Sequence, residues 1–294
     1  MIKALELFSG IGAFAEASGK FDIEVVGAYD QDPRANRTYE LNHGRKPISR
    51  NLDTIASGKL PAADLWWMSP PCQPYSVRGN QKGLSDPRSR SFVNLLGHLK
   101  DHRPKVVMVE NVAGFRDSDG HRLAEATFSE LGYESHILEM SPYDFGIKMR
   151  RPRLYLVATA FGITFKAPNF TQAEEKHLRE FIRGTYSPDL LVSQKDLDRY
   201  GNSLHIINST SDEAYATCFT SGYWKSFKSS GTFIEVENQG IRRFSPEEII
   251  SLMGFSANFT FPSELSTQAK LKLAGNTVDV RAIDYLLRGL DLPV

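Results

Sequence analysis

Two cysteines in 294 residues allow one disulfide at most, which excludes the disulfide-dense scaffold of small secreted folds and makes a reducing, cytoplasmic setting the expectation. No stretch approaches the roughly 18 consecutive apolar residues of a membrane-spanning helix, so no membrane partner is expected. The opening MIKALELFSGIG has one lysine and an apolar run broken by Glu6, and lacks the regions of a secretory or transit signal. Charge of one sign is also missing: 35 basic residues stand against 35 acidic ones. A whole-protein basic field therefore cannot hold an anionic polymer, and any nucleic-acid site has to be a local patch. There is no internal repeat and no low-complexity tract. What remains, 41% hydrophobic and 24% charged, is the composition of a folded chain of roughly two domains.

Short apolar runs alternate with helix-like segments through the first half: Ala4 to Phe8, Ala13 to Ser18, Val25 to Tyr29, Arg34 to Asn42, Asp64 to Met68, Phe92 to Leu99, Val106 to Val109, Leu123 to Leu131 and Leu154 to Ala158. Strand alternating with helix predicts a doubly wound α/β domain over 1–163. Past Phe161 the chain turns polar and proline-bearing, then rich in glycine, serine and aromatics from Cys218 to Ile234. This predicts a second, smaller, irregular domain over 164–244, with a helix in the mixed-charge segment Ala173 to Arg183. Helical periodicity returns at Ser245, where Ser-Pro-Glu-Glu supplies an N-cap, a proline at the first helical position and acids in the first turn. Residues 245–294 are expected to rejoin the first domain, ending in a helix from about Val280 to Leu290.

The first strand feeds into Ser9-Gly10-Ile11-Gly12, and glycines at a strand-to-helix turn let the backbone approach a ligand beside a helix N-terminus. Asp30 and Asp32 follow at the end of the second strand, where an acid can accept both hydroxyls of a ribose. The third glycine of the dinucleotide pattern is absent, which argues against NAD and for a smaller adenosyl cofactor. Ser69-Pro70-Pro71-Cys72-Gln73-Pro74 comes directly after a strand, and its prolines present Cys72 from a stiff loop at the ligand-binding end of a parallel sheet. Cys72 is thus a candidate nucleophile, with Arg151, Arg153 or a helix N-terminus as candidates for stabilising its thiolate. Glu110-Asn111-Val112 ends the next strand, where Glu110 suits an acid that bonds a ring nitrogen. Arg150, Arg151 and Arg153 enter a later strand, and Gly275-Asn276-Thr277-Val278 precedes the last helix.

Taken in order, these pieces resemble the cytosine-5 methyltransferase family over nearly the whole chain. The resemblance implies the S-adenosylmethionine-dependent methyltransferase fold, a Rossmann-like mixed sheet with a small target-recognition domain. It implies S-adenosyl-L-methionine as cofactor, leaving as S-adenosyl-L-homocysteine, and no metal. Phe8, Ser9, Gly10, Ile11, Gly12, Asp30, Gln31, Asn51, Leu52, Pro70, Asn276, Thr277 and Val278 would hold it. Cys72 would add to carbon 6 of a flipped cytosine, Glu110 would bond the ring, Arg151 and Arg153 would match the family's arginine pair, with Arg153 on the base oxygen, and Asn111 would support the loop.

A narrower match appears in Leu5-Glu6-Leu7, in Met68 to Pro74, in Ser85 to Phe92 and in the tripeptide Cys218-Phe219-Thr220. These are similar to the branch that methylates a cytosine in a tRNA anticodon loop, which makes tRNA the expected partner of a monomeric enzyme. Duplex DNA is the alternative partner, and a nucleic-acid-binding protein with lost turnover is a third reading. Gln73, Arg78, Lys82, Arg88, Lys148, Cys218, Phe219, Thr220 and Tyr223 are the expected substrate contacts, Lys148 through phosphate, with Tyr75, Tyr223, Trp224 and Phe227 as candidate stacking surfaces. The chain departs from the family pattern at Ala13, which replaces a usual glycine, and at Lys148-Met149, where proline and a polar amide are usual.

Overall fold

In a computed structural model, the structure describes residues 1–76, 79, 82–170, 174–236 and 240–291. The chain forms two compact units. The first comprises Met1–Met140, Pro152–Asn169 and the segment from Ile283, and the second Ser141–Arg151 and Phe170–Ala282. Residues 245–282 therefore group with the second unit, where expectation had returned them to the first. The physical reason lies in ties from this segment to the rest of the second unit: Glu248 accepts from the Arg183 amide at 2.7 Å and from Arg242 at 2.8 and 2.9 Å, and the Gly275 and Thr277 carbonyls accept from Arg151.

The first unit is built on strands β1 (Ile2–Leu7), β2 (Ile23–Tyr29), β3 (Leu65–Met68), β4 (Val106–Val112) and β5 (Glu134–Met140). A two-residue strand of the second unit, β6 (Met149–Arg150), precedes β7 (Arg153–Thr159), which completes a six-stranded sheet of order β2-β1-β3-β4-β7-β5. The first four strands are parallel, while β7 runs antiparallel to both neighbours, giving the mixed sheet that the family resemblance implied. β3 reads Leu-Trp-Trp-Met and is buried throughout, as a strand covered on both faces must be. Its two indoles mark the two layers. Trp67 stacks on Phe14 of helix α1 (Ala13–Ser18), and Trp66 joins the core that includes Leu95, Leu96 and Leu99 of α3 (Arg90–His102). Helix α2 (Pro33–His43) is started by Asp32, whose side chain accepts from the Arg34 amide, and α4 (Asp119–Glu130) by Ser118 in the same way from His121. The edge strand β5 was not anticipated. Its side chains are mostly exposed or half-buried, so it lacks the continuous apolar signal of its neighbours.

The second unit contains α5 (Gln194–Tyr200), β8 (His205–Asn208), β9 (Ala216–Thr217), β10 (Thr232–Val236), β11 (Gly240–Arg243), α6 (Pro246–Leu252) and α7 (Thr267–Asn276), followed by α8 (Val280–Arg288). β11, β10 and β8 form one small sheet, and β6 pairs with β9 in parallel. Ser245 caps α6 with a full capping box to Glu248, as its sequence predicts. The segment 173–183 is not the expected helix. Its described part holds a single 3-10 turn, Leu178–Glu180, because its alternating charges offer no apolar stripe to bury. Among the described residues no helix is long and apolar enough to cross a membrane.

Candidate active site

In the first unit the chain runs from β1 outward through α1 to β2, while β3 lies on the other side of β1. This reversal of strand order opens a crevice at the carboxyl ends of β1 and β3, the position where open α/β sheets bind ligands. Leu7 and Met68 are register partners, so the turn after β1 and the loop after β3 start side by side. Ser69 joins them: its hydroxyl donates to the Phe8 carbonyl at 3.0 Å.

The β1 turn is shaped for close approach. Phe8, Gly10 and Gly12 have φ of 61°, 54° and 93°, the left-handed region that favours glycine and is costly at Phe8. A side chain on Gly12 would collide with His43 and Tyr39 beneath the turn, whereas one on Gly10 would meet nothing within 4 Å. Ser9 is buried and its hydroxyl has no hydrogen-bond partner among the described residues. Asp30 closes the turn from β2, accepting from the Gly10 amide at 2.8 Å and the Asp32 amide at 2.8 Å. Burial holds the Asp30 carboxyl above its ordinary range, with those amide hydrogen bonds opposing. Gln31 donates to Asn51 at 3.2 Å, and Leu52 is buried with its carbonyl bonded to Asn94. An open glycine, an unsatisfied buried hydroxyl and a carboxylate within one turn fit an adenosyl cofactor with a polar amino-acid end.

On the β3 loop the Cys72 carbonyl accepts from the amides of Tyr75 (3.0 Å) and Ser76 (2.9 Å), which fixes the backbone that carries the thiol. Cys72 is half-buried and in no disulfide. Arg88 holds its proton more firmly than usual, first through its hydrogen bond to Asp86 and then, against a desolvation cost, through the charges of Asp86 and Cys72. Arg88 is paired with Asp86 at 2.6 Å on the stretch that follows this loop. Asn111, buried at the end of β4, donates from Nδ2 to the Pro70 carbonyl at 3.1 Å and braces the same loop. Its neighbour Glu110 meets Arg153 of β7, with Nε to Oε1 at 3.3 Å, where the antiparallel register sets Val112 opposite Arg153. In the same loop Gln73 keeps a buried Oε1 that has no hydrogen-bond partner among the described residues. A thiol, a carboxylate–guanidinium pair and two unsatisfied polar atoms thus stand on adjacent strand ends that are tied together by side-chain hydrogen bonds. The chemistry such a set performs is nucleophilic addition to an electron-poor ring held by its polar edge.

The family profile described as C-5 cytosine-specific DNA methylase matches residues 2–291. The chain belongs to this family. It is a cytosine-5 methyltransferase. Among its relatives, a tRNA (cytosine(38)-C(5))-methyltransferase of Schizosaccharomyces pombe is 29% identical, with 97% of this chain and 96% of the relative covered. The Type II methyltransferase M.HhaI of Haemophilus parahaemolyticus is 25% identical, over 97% and 93% of the two chains. The crystal structure of the S. pombe Dnmt2 methyltransferase superposes with a TM-score of 0.87 at 27% identity, covering 98% of this chain and 97% of that one.

Several substrate contacts implied by the family pattern take other roles in the second unit. Lys148 is engaged, donating to Glu175 at 2.7 Å and to the Asp212 carbonyl at 2.6 Å. Arg151 is a buried strut. Its NH1 donates to the Phe219 carbonyl (2.8 Å) and to Cys218 Sγ (3.2 Å), and its NH2 to the carbonyls of Thr277 (2.7 Å) and Gly275 (3.2 Å). That set of acceptors makes Arg151 a tie between the Cys218–Phe219 turn and the end of α7. Phe219 and Tyr223 are core residues with no face for a substrate; Tyr223 donates to the Thr232 carbonyl and accepts from the Phe244 amide at 3.0 Å. Tyr75 is likewise buried, and Phe227 is stacked between Tyr200 and Phe233. Thr220 is half-buried, with its amide on the Ser230 carbonyl, and Trp224 receives the Arg243 guanidinium over its ring. Asn276 ends α7, and Thr277 and Val278 follow as buried residues. In the first unit Lys82 borders a cleft with Tyr75, Asp119 and Arg122, while Arg78 lies outside the described residues.

Other residues of the first-unit site escaped sequence reading. Ser69 is one, and the group beneath the cofactor turn is another: Tyr39 donates to Glu6 Oε2 at 2.8 Å, with the His43 ring 4.8 Å from that of Tyr39. Burial pushes the Glu6 carboxyl up to about 8, against hydrogen bonds from Tyr39 and the amides of Phe14 and Ala15. The available signal was a charged residue inside an apolar strand.

Proposed function

We propose that this chain methylates carbon 5 of a cytosine in a tRNA anticodon loop, using S-adenosyl-L-methionine and a covalent adduct through Cys72. The observation that carries the reading is Cys72 on a loop braced by Asn111 at the switch point of the sheet, with the Glu110–Arg153 pair at the end of the adjoining strand. The Phe8–Gly12 turn and Asp30 would hold S-adenosyl-L-methionine, which would supply an electrophilic methyl group. Cys72 adds to carbon 6 of the base and makes carbon 5 nucleophilic. Glu110 holds a proton at ring nitrogen 3 and accepts from the exocyclic amine, and Arg153 donates to the carbonyl oxygen on carbon 2, so charge developing in the adduct is met by groups already oriented. Once carbon 5 carries the methyl group, solvent water takes the carbon 5 proton, the electron pair of that C–H bond re-forms the 5,6 double bond, and the carbon 6–sulfur bond breaks to release Cys72 as thiolate. The base has to leave its stack to reach the thiol, at a cost of a few kcal/mol that is smallest for a loop nucleotide.

The tRNA assignment is supported by the S. pombe relative and by the Cys218-Phe219-Thr220 turn that Arg151 holds. The experiment is methyl transfer from labelled donor to unmodified total tRNA and, separately, to unmethylated genomic DNA, with bisulfite mapping of the product. Label at an anticodon-loop cytosine is the expected result. Label in DNA alone would transfer the reading to a duplex substrate, and label in neither would refute it.

A further inference from the structure

The second unit carries cations of two kinds. Lys148, Arg151 and Arg242 are bonded to carboxylates or carbonyls within the unit. Arg150 is different: it is exposed and has no hydrogen-bond or ion-pair partner among the described residues. The pairing of β6 with β9 explains why. Met149 and Ala216 are register partners and both fully buried, so alternation turns Arg150 outward on one strand and Tyr215 outward beside the other.

Outside, the two side chains are stacked. The Arg150 guanidinium carbon lies 4.8 Å from the centroid of the Tyr215 ring, which is 37% exposed. The Tyr215 ring in turn packs on the His205 ring at 4.7 Å. His205 is fixed from below, since its Nδ1 pairs with Thr232 Oγ1 at 2.9 Å and that same oxygen accepts from the Thr217 amide at 2.8 Å. Of the acids that act on the neighbouring Lys148, Asp212 is paired with Arg179 at 2.6 Å and Glu175 with Lys148, while Glu213 is exposed. A guanidinium held flat on a ring presents a planar outer face together with unoccupied N–H donors at its edge. A flat face suits an unstacked base, and edge donors suit a phosphate.

We propose that the Arg150–Tyr215–His205 stack is a docking platform for one unpaired nucleotide of the RNA substrate, whose base stacks on the guanidinium–phenol pair while a phosphate oxygen accepts from Arg150. The proposal rests on the reading of the substrate as a tRNA loop, because a paired duplex base offers no free face.

The test uses the full chain and the variants R150A, Y215A and Y215F, measuring binding to unmodified total tRNA and to single-stranded oligouridylate, together with methyl-transfer kinetics and melting temperature. R150A and Y215A are expected to weaken binding of both RNAs by about 5- to 100-fold, the range of one lost base stack. R150A should also lower the salt slope of log K by about 1. KM for tRNA rises while kcat at saturating RNA and cofactor affinity hold, and Y215F, which keeps the ring, binds as the parent does. Unchanged RNA binding in R150A and Y215A at unchanged melting temperature overturns the proposal. Should Y215A fail to fold, R150A, an exposed side chain, decides by the same criterion. If the parent methylates DNA and not tRNA, the substrate reading fails, and the platform is judged on oligouridylate: parental affinity in R150A refutes it and a loss upholds it.

Discussion

Glu6 offers a prediction whose size follows from its burial. Its carboxyl is fully enclosed and its pKa stands at about 8, against an ordinary value of 4.5. Between those two values the folded chain keeps a proton that the unfolded chain has released. The stabilising effect of the protonated group is therefore complete below pH 4.5 and is lost as pH rises toward 8, by about 1.4 kcal/mol per pH unit. At pH 7 the unfolded state has gained about 3 kcal/mol relative to pH 4.5 from this one residue. Glu6→Gln keeps a neutral acceptor for the Tyr39 hydroxyl and removes the titration. Urea or thermal unfolding at several pH values should show E6Q more stable than the parent at pH 7, by an amount approaching 3 kcal/mol, and the difference should vanish near pH 4.5. The pH slope of stability in E6Q should be smaller by one proton. If E6Q is instead the less stable protein at pH 7, and the parent shows no such slope, the amides of Phe14 and Ala15 hold Glu6 ionised and the burial argument is wrong.

Cys72→Ala should abolish methyl transfer while cofactor affinity, read by calorimetry, stays that of the parent; any residual methylation by the variant would exclude a thiol mechanism. Glu110→Gln should lower kcat by about 10²- to 10⁴-fold, the usual worth of a positioned acid. Its cofactor affinity should not change, since the loss lies at the base. Asn111→Ala removes a buried hydrogen bond to Pro70 and should destabilise by about 1–3 kcal/mol with a fall in kcat, measured by unfolding and single-turnover rates. Arg151→Lys cannot reach the four acceptors that the guanidinium spans, so the melting temperature should fall; unchanged stability would contradict its role as a strut.

The parallel half of the fold is legible in the sequence because its strands are short, mostly apolar runs alternating with helices that carry caps such as Asp32 and Ser118. β5 is not legible, since an edge strand with one solvated face carries no such run. The site reads well where chemistry demands a residue type at a strand end: Cys72, Glu110 and Asp30 all stand at carboxyl ends of parallel strands or in the loops that follow. Sequence reading fails for charged side chains whose partners are distant in the chain. Lys148 meets Glu175 and Asp212, and Arg151 meets carbonyls from Phe219 to Thr277, so neither fate is visible from neighbours. Aromatics fail for the same reason: Tyr223 lies in the core of the second unit whereas Tyr215 lies outside, and only strand pairing tells them apart.

The central claim is that the Cys72 thiolate attacks a cytosine of RNA. It is tested most directly by incubating the chain with S-adenosyl-L-methionine and a tRNA carrying 5-fluorocytosine in the anticodon loop, then sequencing the peptide joined to RNA. Fluorine at carbon 5 leaves no proton to remove, so the expected product is a stable adduct on the peptide containing Cys72, dependent on the methyl donor and absent from C72A. Methylation of unmodified tRNA with no such adduct, or an adduct on any other residue, would contradict the account.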